Sequence, residues 1–318
     1  MRKLNINTLI SIVVPVYNES GVVEIFIARI ISILENIDHK YEIIFINDGS
    51  TDDTFAELEK VYKAHKNIRV ITFSRNFGKE AAISAGIDYS HGDALIPIDI
   101  DLQDPPELII NFIKFWQDGY DVVYGIRKDR SLDSVGKRIT SRLFYAVFNK
   151  ISKTKIPYSV GDYRLIDRKV IDIIKILPER NRFMKGLFSW VGFKSIGIPY
   201  KRPERISGET KWSYWKLWNF SIDGITSFST APLKVWMYIG GVISSISFCY
   251  ALLLIIKVSI SGVDVPGYTS TLVAILFLGG LQLLVLGIYG EYLGRIYEES
   301  KSRPIYILDS ILDENKKK

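Results

Sequence analysis

Residues 94–106 read Ala-Leu-Ile-Pro-Ile-Asp-Ile-Asp-Leu-Gln-Asp-Pro-Pro, an apolar run that ends in a cluster of carboxylates. A short apolar run bounded this way is consistent with a buried strand leading to a polar edge. Working outward, the same pattern recurs in the runs Ile10–Val16, Tyr41–Ile46, Ile68–Phe73 and Val122–Tyr124. Amphipathic stretches near 20–36, 53–65, 78–89 and 106–117 separate them. Strands alternating with helices predict an α/β domain whose mostly parallel sheet is covered on both faces. Ligands of such sheets sit beyond the carboxyl ends of the strands. The residues there are Pro15-Val16-Tyr17-Asn18-Glu19, Asn47-Asp48-Gly49-Ser50-Thr51-Asp52-Asp53, Ser74-Arg75-Asn76-Phe77-Gly78-Lys79 and the acidic run from Asp99 to Asp104. Taken singly, Asp52 or Asp104 is equally well a helix cap, and Asp-Gly a turn. Asp99 and Asp101 are harder to dismiss. Alternate residues of an extended segment point the same way, so both carboxylates can face one ligand. Their mutual repulsion would raise one pKa unless a cation joined them. Oxygen ligands completed by substrate phosphates suit Mg²⁺ or Mn²⁺.

Composition narrows the class. The 318-residue chain is 47% hydrophobic, which excludes a disordered chain. A single cysteine, Cys249, excludes an internal disulfide framework, and with only His39, His65 and His91 beside it argues against a zinc site. Charge is unevenly spread. Residues 1–119 hold 11 basic and 18 acidic side chains, residues 120–220 hold 22 and 9, and residues 221–318 hold 8 and 8. The basic middle block suits nucleic acid, anionic lipid or a phosphorylated substrate, or is a plain solvated surface. The C-terminal third of the chain favours the membrane over nucleic acid.

Val235–Ile256 and Thr269–Tyr289 are uncharged stretches of 22 and 21 residues. Each is long enough to span a hydrocarbon core of about 30 Å. A buried hairpin of a soluble core is the alternative. Gly240-Gly241, Ser244-Ser245 and Gly279-Gly280 suit close helix packing in lipid and make self-association into a homo-oligomer plausible. The positive charge of the N-terminal bulk and of Lys316–Lys318 puts both termini in the cytoplasm by the positive-inside rule. Trp212, Trp215 and Trp218, ahead of the first span, suggest an interfacial helix at the headgroups, a soluble core helix being the plainer reading. Met1-Arg2-Lys3 before Leu9–Val16 imitates a signal peptide only superficially, because the run is short, contains Pro15 and lacks a small-residue cleavage site. The expected organisation is a cytoplasmic catalytic domain over 1–210, an interfacial helix over 211–232, a two-helix transmembrane hairpin over 233–290 and a cytoplasmic tail over 291–318.

Val13–Glu19, Asn47–Asp52 and Asp99–Pro106 together resemble the family 2 glycosyltransferases with the GT-A fold. Within these the chain is similar to the polyprenyl-phosphate glycosyltransferases, a group that includes dolichol-phosphate mannose synthase. Gly161-Asp162-Tyr163-Arg164-Leu165, Arg205-Ile206-Ser207-Gly208-Glu209-Thr210-Lys211, Gly290-Glu291-Tyr292-Leu293-Gly294-Arg295 and the Lys301–Tyr306 stretch continue the match. With two spans, the pattern most resembles the bacterial bactoprenol (undecaprenyl-phosphate) glucosyltransferases that modify O-antigen. Thr210 departs from the Ser common in relatives but keeps the hydroxyl.

The resemblance implies site roles. Pro15, Tyr17, Glu19 and Asp48 would hold the uracil and ribose of a UDP-sugar donor, with Lys79 and Gln103 also on the donor side. Asp99, Asp101 and Gln103 would hold Mg²⁺ or Mn²⁺ and the diphosphate. Arg127, Arg138, Arg205 and Lys211 would meet phosphates of the lipid acceptor or the donor, and Asp162 would handle the acceptor. The implied reaction is an inverting transfer of glucose from UDP-glucose to undecaprenyl phosphate at the inner (plasma) membrane. Asp162 is then a base or a positioning group, since a phosphate nucleophile needs little proton removal. Mannose, a GlcNAc-type sugar or a modified arabinose is the alternative cargo. A processive synthase is disfavoured by the lack of a Gln-x-x-Arg-Trp motif, and a non-catalytic nucleotide-sugar binder by the retention of Asp99 and Asp101.

Overall fold

The computed structural model describes residues 7–128, 135–158, 160–180, 182–201, 222, 224–261 and 267–313. Strand β1 (Leu9–Val16) is almost wholly buried because it lies inside the sheet, paired in parallel with both β2 (Lys40–Asn47) and β4 (Ala94–Pro97). That placement explains its continuous apolar run, since both faces are covered. β3 (Ile68–Phe73), β5 (Val122–Arg127), β6 (Val160–Asp167), β7 (Ser195–Tyr200) and β8 (Leu308–Leu312) complete an eight-stranded sheet of order β7-β5-β6-β4-β1-β2-β3-β8. The β2–β3 and β5–β7 pairs are also parallel, whereas β4–β6, β5–β6 and β3–β8 are antiparallel. The sheet is therefore mixed but mostly parallel, a GT-A arrangement of the Rossmann-like kind.

Helices cover both faces. Apolar residues of α1 (Val23–Leu34), α2 (Thr54–Ala64) and α4 (Leu108–Gln117) join Ile10, Ile12 and Val14 in one core layer. Those of α3 (Lys79–Tyr89), α6 (Arg168–Ile176) and α7 (Met184–Trp190) join Val13, Ile44 and Ile71 in the other. Helix α3 lies unusually close to β1: a Cβ added at Gly86 would sit 2.1 Å from Val13 Cγ1. Helix α5 (Val135–Ile151) carries a third, aromatic cluster, in which Phe148 meets Phe183 and Phe228.

The C-terminal part is a hairpin of α8 (Ala231–Ser261) and α9 (Tyr268–Ser300), whose apolar side chains, Phe248, Leu253, Phe277 and Leu283 among them, are exposed. Both helices are long and apolar enough to cross a membrane. They outrun the expected spans at both ends, because the helices continue past the apolar stretches into polar turns. Of the interfacial helix expected over 211–232, residues 211–221 and 223 lie outside the described residues. Its remainder packs on α5: the Ser229 hydroxyl donates to Ile151 O at 2.8 Å, and Tyr292 of α9 donates to Ser229 O at 2.7 Å. The stretch expected as a tail contributes β8 to the sheet. Arg69 of β3, nearly buried, donates to Asp313 Oδ2 at 3.0 Å and to Glu42 Oε2 at 3.1 Å, so the strand is held by charge as well as by pairing.

Candidate active site

The loops after β1 and β2 are stitched together where the chain leaves the sheet. Asn18 takes a left-handed conformation at φ 51°, which Asn tolerates better than most residues. Its backbone N–H donates to Ser50 Oγ at 3.0 Å, and its Oδ1 accepts from the Thr51 N–H at 2.8 Å. Glu19 donates its N–H to Thr54 Oγ1 at 2.9 Å. Tyr17 is left exposed beside them. Pro15, inside β1, is level with Ile46. Pro15, Tyr17, Glu19 and Asp48 thus gather at one end of the β1–β2 pair, as the sequence pattern predicts.

Asp48 is buried directly beyond β2 and faces the turn after β3. Its Oδ1 accepts from the Phe77 N–H at 2.7 Å and its Oδ2 from the Gly78 N–H at 2.9 Å. Burial pushes its carboxyl pKa up, and the two N–H donors and Arg75 only partly offset this. The loops touch so closely that a Cβ at Gly49, where φ is 65°, would lie 2.4 Å from the Arg75 carbonyl carbon. Only glycine meets both conditions.

Around β4 the charges converge. Lys79, at the start of α3, places its ammonium 2.6 Å from Asp99 Oδ1 and 3.2 Å from Asp162 Oδ2. It thereby joins a carboxylate beyond β4 to one within β6. Burial alone would lower the Lys79 pKa, but the two carboxylates more than offset that and hold it above its ordinary value. Burial likewise works to raise Asp162, and Lys185, Lys79 and Arg164 together overcome it, leaving Asp162 well below the usual carboxylate range. Asp162 Oδ1 is buried and has no hydrogen-bond partner among the described residues. Glu80, next to Lys79, goes the other way: burial first and the Asp162 charge second push it up to about 8.

The acidic run itself is braced from three strands. Leu102 is left-handed at φ 53°, and the Gln103 N–H donates back to Asp101 Oδ1 at 3.1 Å. Tyr163 of β6 donates to Pro105 O at 2.9 Å, and Tyr200 at the end of β7 donates to Asp104 Oδ1. Arg127, ending β5, donates to the Tyr200 hydroxyl at 3.4 Å. Burial would lower its pKa, but Asp104 and Tyr200 raise it further and keep the guanidinium charged. Asp99 and Asp101 carry oxygen donors of the kind a hard cation takes, and among the described residues no group of three His, Cys, Asp or Glu forms a protein-only cage. This donor set fits a divalent ion held by one or two carboxylates and completed by substrate phosphates.

The structure therefore brings Lys79 against both Asp99 and Asp162, with Asp101 and Gln103 on the braced loop and Arg127 tied to it through Tyr200. Arg138 lies on α5, where its side chain is not described, and Arg205 and Lys211 lie outside the described residues. Glu80, Lys185, Arg164, Tyr163 and Tyr200 carry no role predicted from the sequence. Arg164 had a usable signal, since it stands two residues after Asp162 on one strand and so shares its face. Glu80 and Lys185 had none, because their proximity depends on how α3 and α7 pack.

Residues 11–174 match the family Glycosyl transferase family 2, and residues 231–296 match the GtrB C-terminal hairpin. The chain is 53% identical over 302 residues to an uncharacterized glycosyltransferase of Synechocystis sp., covering 95% of each. It is 49% identical to a prophage bactoprenol glucosyl transferase homolog of Escherichia coli, over 95% of this chain and 99% of that one. To the bactoprenol glucosyl transferase of Shigella phage SfX it is 50% identical, again over 95% and 99%.

Proposed function

The chain belongs to the family 2 glycosyl transferases, and from that premise we propose that it moves glucose from UDP-glucose to undecaprenyl phosphate. The observation that carries the reading is the near-complete coverage of bactoprenol glucosyl transferases at about half identity, through both the GT-A domain and the hairpin. The site supports it in kind. Asp48, with Pro15, Tyr17 and Glu19, would take the uracil and ribose, and Arg127 and Lys79 are cations within reach of a diphosphate. Asp99 and Asp101, with Gln103, would hold Mg²⁺ or Mn²⁺, which would neutralise charge on the departing nucleoside diphosphate.

In the proposed reaction a phosphate oxygen of the lipid forms a bond to the anomeric carbon as the bond to UDP breaks, with inversion. A phosphate monoester has its second pKa near 6, so the nucleophile arrives ionised at neutral pH. Asp162 is held below the ordinary carboxylate range and is therefore a poor base. We assign it to orienting Lys79 toward the donor diphosphate and Lys185 toward the acceptor phosphate. Arg138, Arg205 and Lys211 are proposed to extend that cationic path toward the membrane. The hairpin is proposed to span the inner membrane, with the catalytic domain over 1–210 and both termini in the cytoplasm and the 211–232 stretch at the headgroups.

The test is transfer of labelled glucose from UDP-glucose to undecaprenyl phosphate by the purified full-length protein with Mg²⁺ or Mn²⁺, beside Asp101→Ala. Metal-dependent glucolipid, lost in the variant, is expected. UDP binding without product from UDP-glucose would overturn glucose as cargo, and product unaffected by chelation or by Asp101→Ala would overturn the metal assignment.

A further inference from the structure

The segment leaving the hairpin is built into the loop that grips Asp48. Helix α9 ends at Ser300, and the chain turns at Ser302, where φ is 50°. The turn is bolted to the catalytic domain: the Arg180 N–H donates to Glu299 Oε1 at 2.9 Å, and its guanidinium donates to Arg303 O. Four residues after Ser302, Tyr306 lies flat on Phe73, with ring centroids 5.0 Å apart and planes 11° from parallel. The Tyr306 hydroxyl donates to Asp88 Oδ2 at 2.8 Å, near the far end of α3. The Ser74 N–H donates to Ile307 O at 3.0 Å, where β8 begins its pairing with β3.

Phe73 in turn meets Phe77 edge to face at 5.8 Å. Phe77 and Gly78 are the two residues whose N–H groups hold Asp48, at 2.7 and 2.9 Å. One set of contacts therefore runs from the end of α9 through Tyr306, Phe73 and Phe77 to Asp48. Tyr306 also restrains the C-terminal end of α3, the helix whose first residue, Lys79, bridges Asp99 and Asp162.

We propose that Tyr306 is a positioning residue for the sugar-nucleotide donor: its ring, resting on Phe73, keeps the Phe77 and Gly78 N–H groups aimed at Asp48, and so couples the exit of the membrane hairpin to donor affinity. This rests on the reading of Asp48 as a donor contact. Loss of the ring lets the 74–78 turn relax, and Asp48 loses the alignment of its two donors. The coupling is reciprocal, so a bound donor must also tighten the segment around Tyr306.

The experiment uses the full-length protein in mild detergent, well below its Tm. UDP affinity is measured by calorimetry, and KM for UDP-glucose and for undecaprenyl phosphate are measured separately. Tyr306→Leu, which keeps apolar bulk but not the ring stack, is expected to weaken UDP binding and raise the donor KM by about fivefold, the scale of a lost aromatic pair, with the acceptor KM unchanged. Tyr306→Phe keeps the stack and is expected to retain donor affinity. Unchanged UDP affinity in Tyr306→Leu overturns the proposal, as does an equal rise in both KM values. Asp48→Asn runs in parallel. If it weakens UDP binding and Tyr306→Leu does not, the strap idea alone fails; if neither does, the placing of the donor at Asp48 fails and the proposal with it. Should Tyr306→Leu not fold, amide exchange in the unaltered protein decides, since UDP should slow exchange over 304–310 and an unchanged rate there refutes the coupling.

Discussion

Glu80→Gln should make the protein more resistant to alkaline pH. Glu80 sits in the first turn of α3, its side-chain Oε2 accepts a long 3.4 Å bond from the Met184 N–H, and it feels the Asp162 charge. Its folded pKa of about 8 stands above its unfolded value of 4.5. Stability from the neutral carboxyl is therefore present in full below the unfolded pKa and is lost as pH rises through the folded one. Between pH 5.5 and 8.5 that linkage amounts to about 3 kcal/mol. Glu80 keeps some solvent contact, so halving the figure for screening leaves about 1–2 kcal/mol. Gln keeps the acceptor oxygen and cannot ionise, so the variant escapes the loss. In thermal melts at pH 5.5 and 8.5, the Tm of Glu80→Gln relative to the unaltered protein should rise by about 3–6 °C across the range. Groups remote from Glu80 cancel in the difference, and Asp162, which feels its charge, titrates well below this pH window. A gap that does not change with pH would refute the reasoning, because it would mean that Glu80 is ionised at both values.

Two further outcomes test the frame around the site. Arg69→Met leaves the buried Glu42 and Asp313 without their shared cation; the expected loss is about 3–5 kcal/mol, read as a lower Tm together with faster protease cleavage ahead of β8. A melt within about 2 °C of the unaltered protein would show that strand pairing alone secures that edge, on the same linkage of stability to Tm. Tyr200→Phe removes the hydroxyl that joins Arg127 to Asp104. Losing the hydroxyl's hydrogen bonds to two charged partners should lower kcat/KM about tenfold, and an unchanged value would show that the acidic loop does not depend on that brace.

What was legible in the chain is what local chemistry decides. β1 to β5 and α1 to α4 fall close to their expected positions because buried parallel strands are continuous apolar runs and the intervening helices show their period. The polar residues at the strand ends were visible for the same reason. β8 was not, since Leu308–Leu312 comes after two long apolar helices and pairs with a strand more than 230 residues earlier. The charge pattern inside the site was hidden in the same way. Lys79 reads as the start of a helix, and only the fold shows it between Asp99 and Asp162. That placement bears on the chemistry. A site meant to pull a proton from a neutral hydroxyl would leave a carboxylate near its ordinary pKa or above it, whereas Asp162 is driven below it by Lys185, Lys79 and Arg164, which more than offset the effect of burial. Glu80, which is pushed up, is raised by burial and by the charge of Asp162, and Lys185 and Lys79 only moderate it. Lys79, Lys185 and Arg164 are thus the cations that the anionic nucleophile and anionic leaving group of the proposed reaction would both meet.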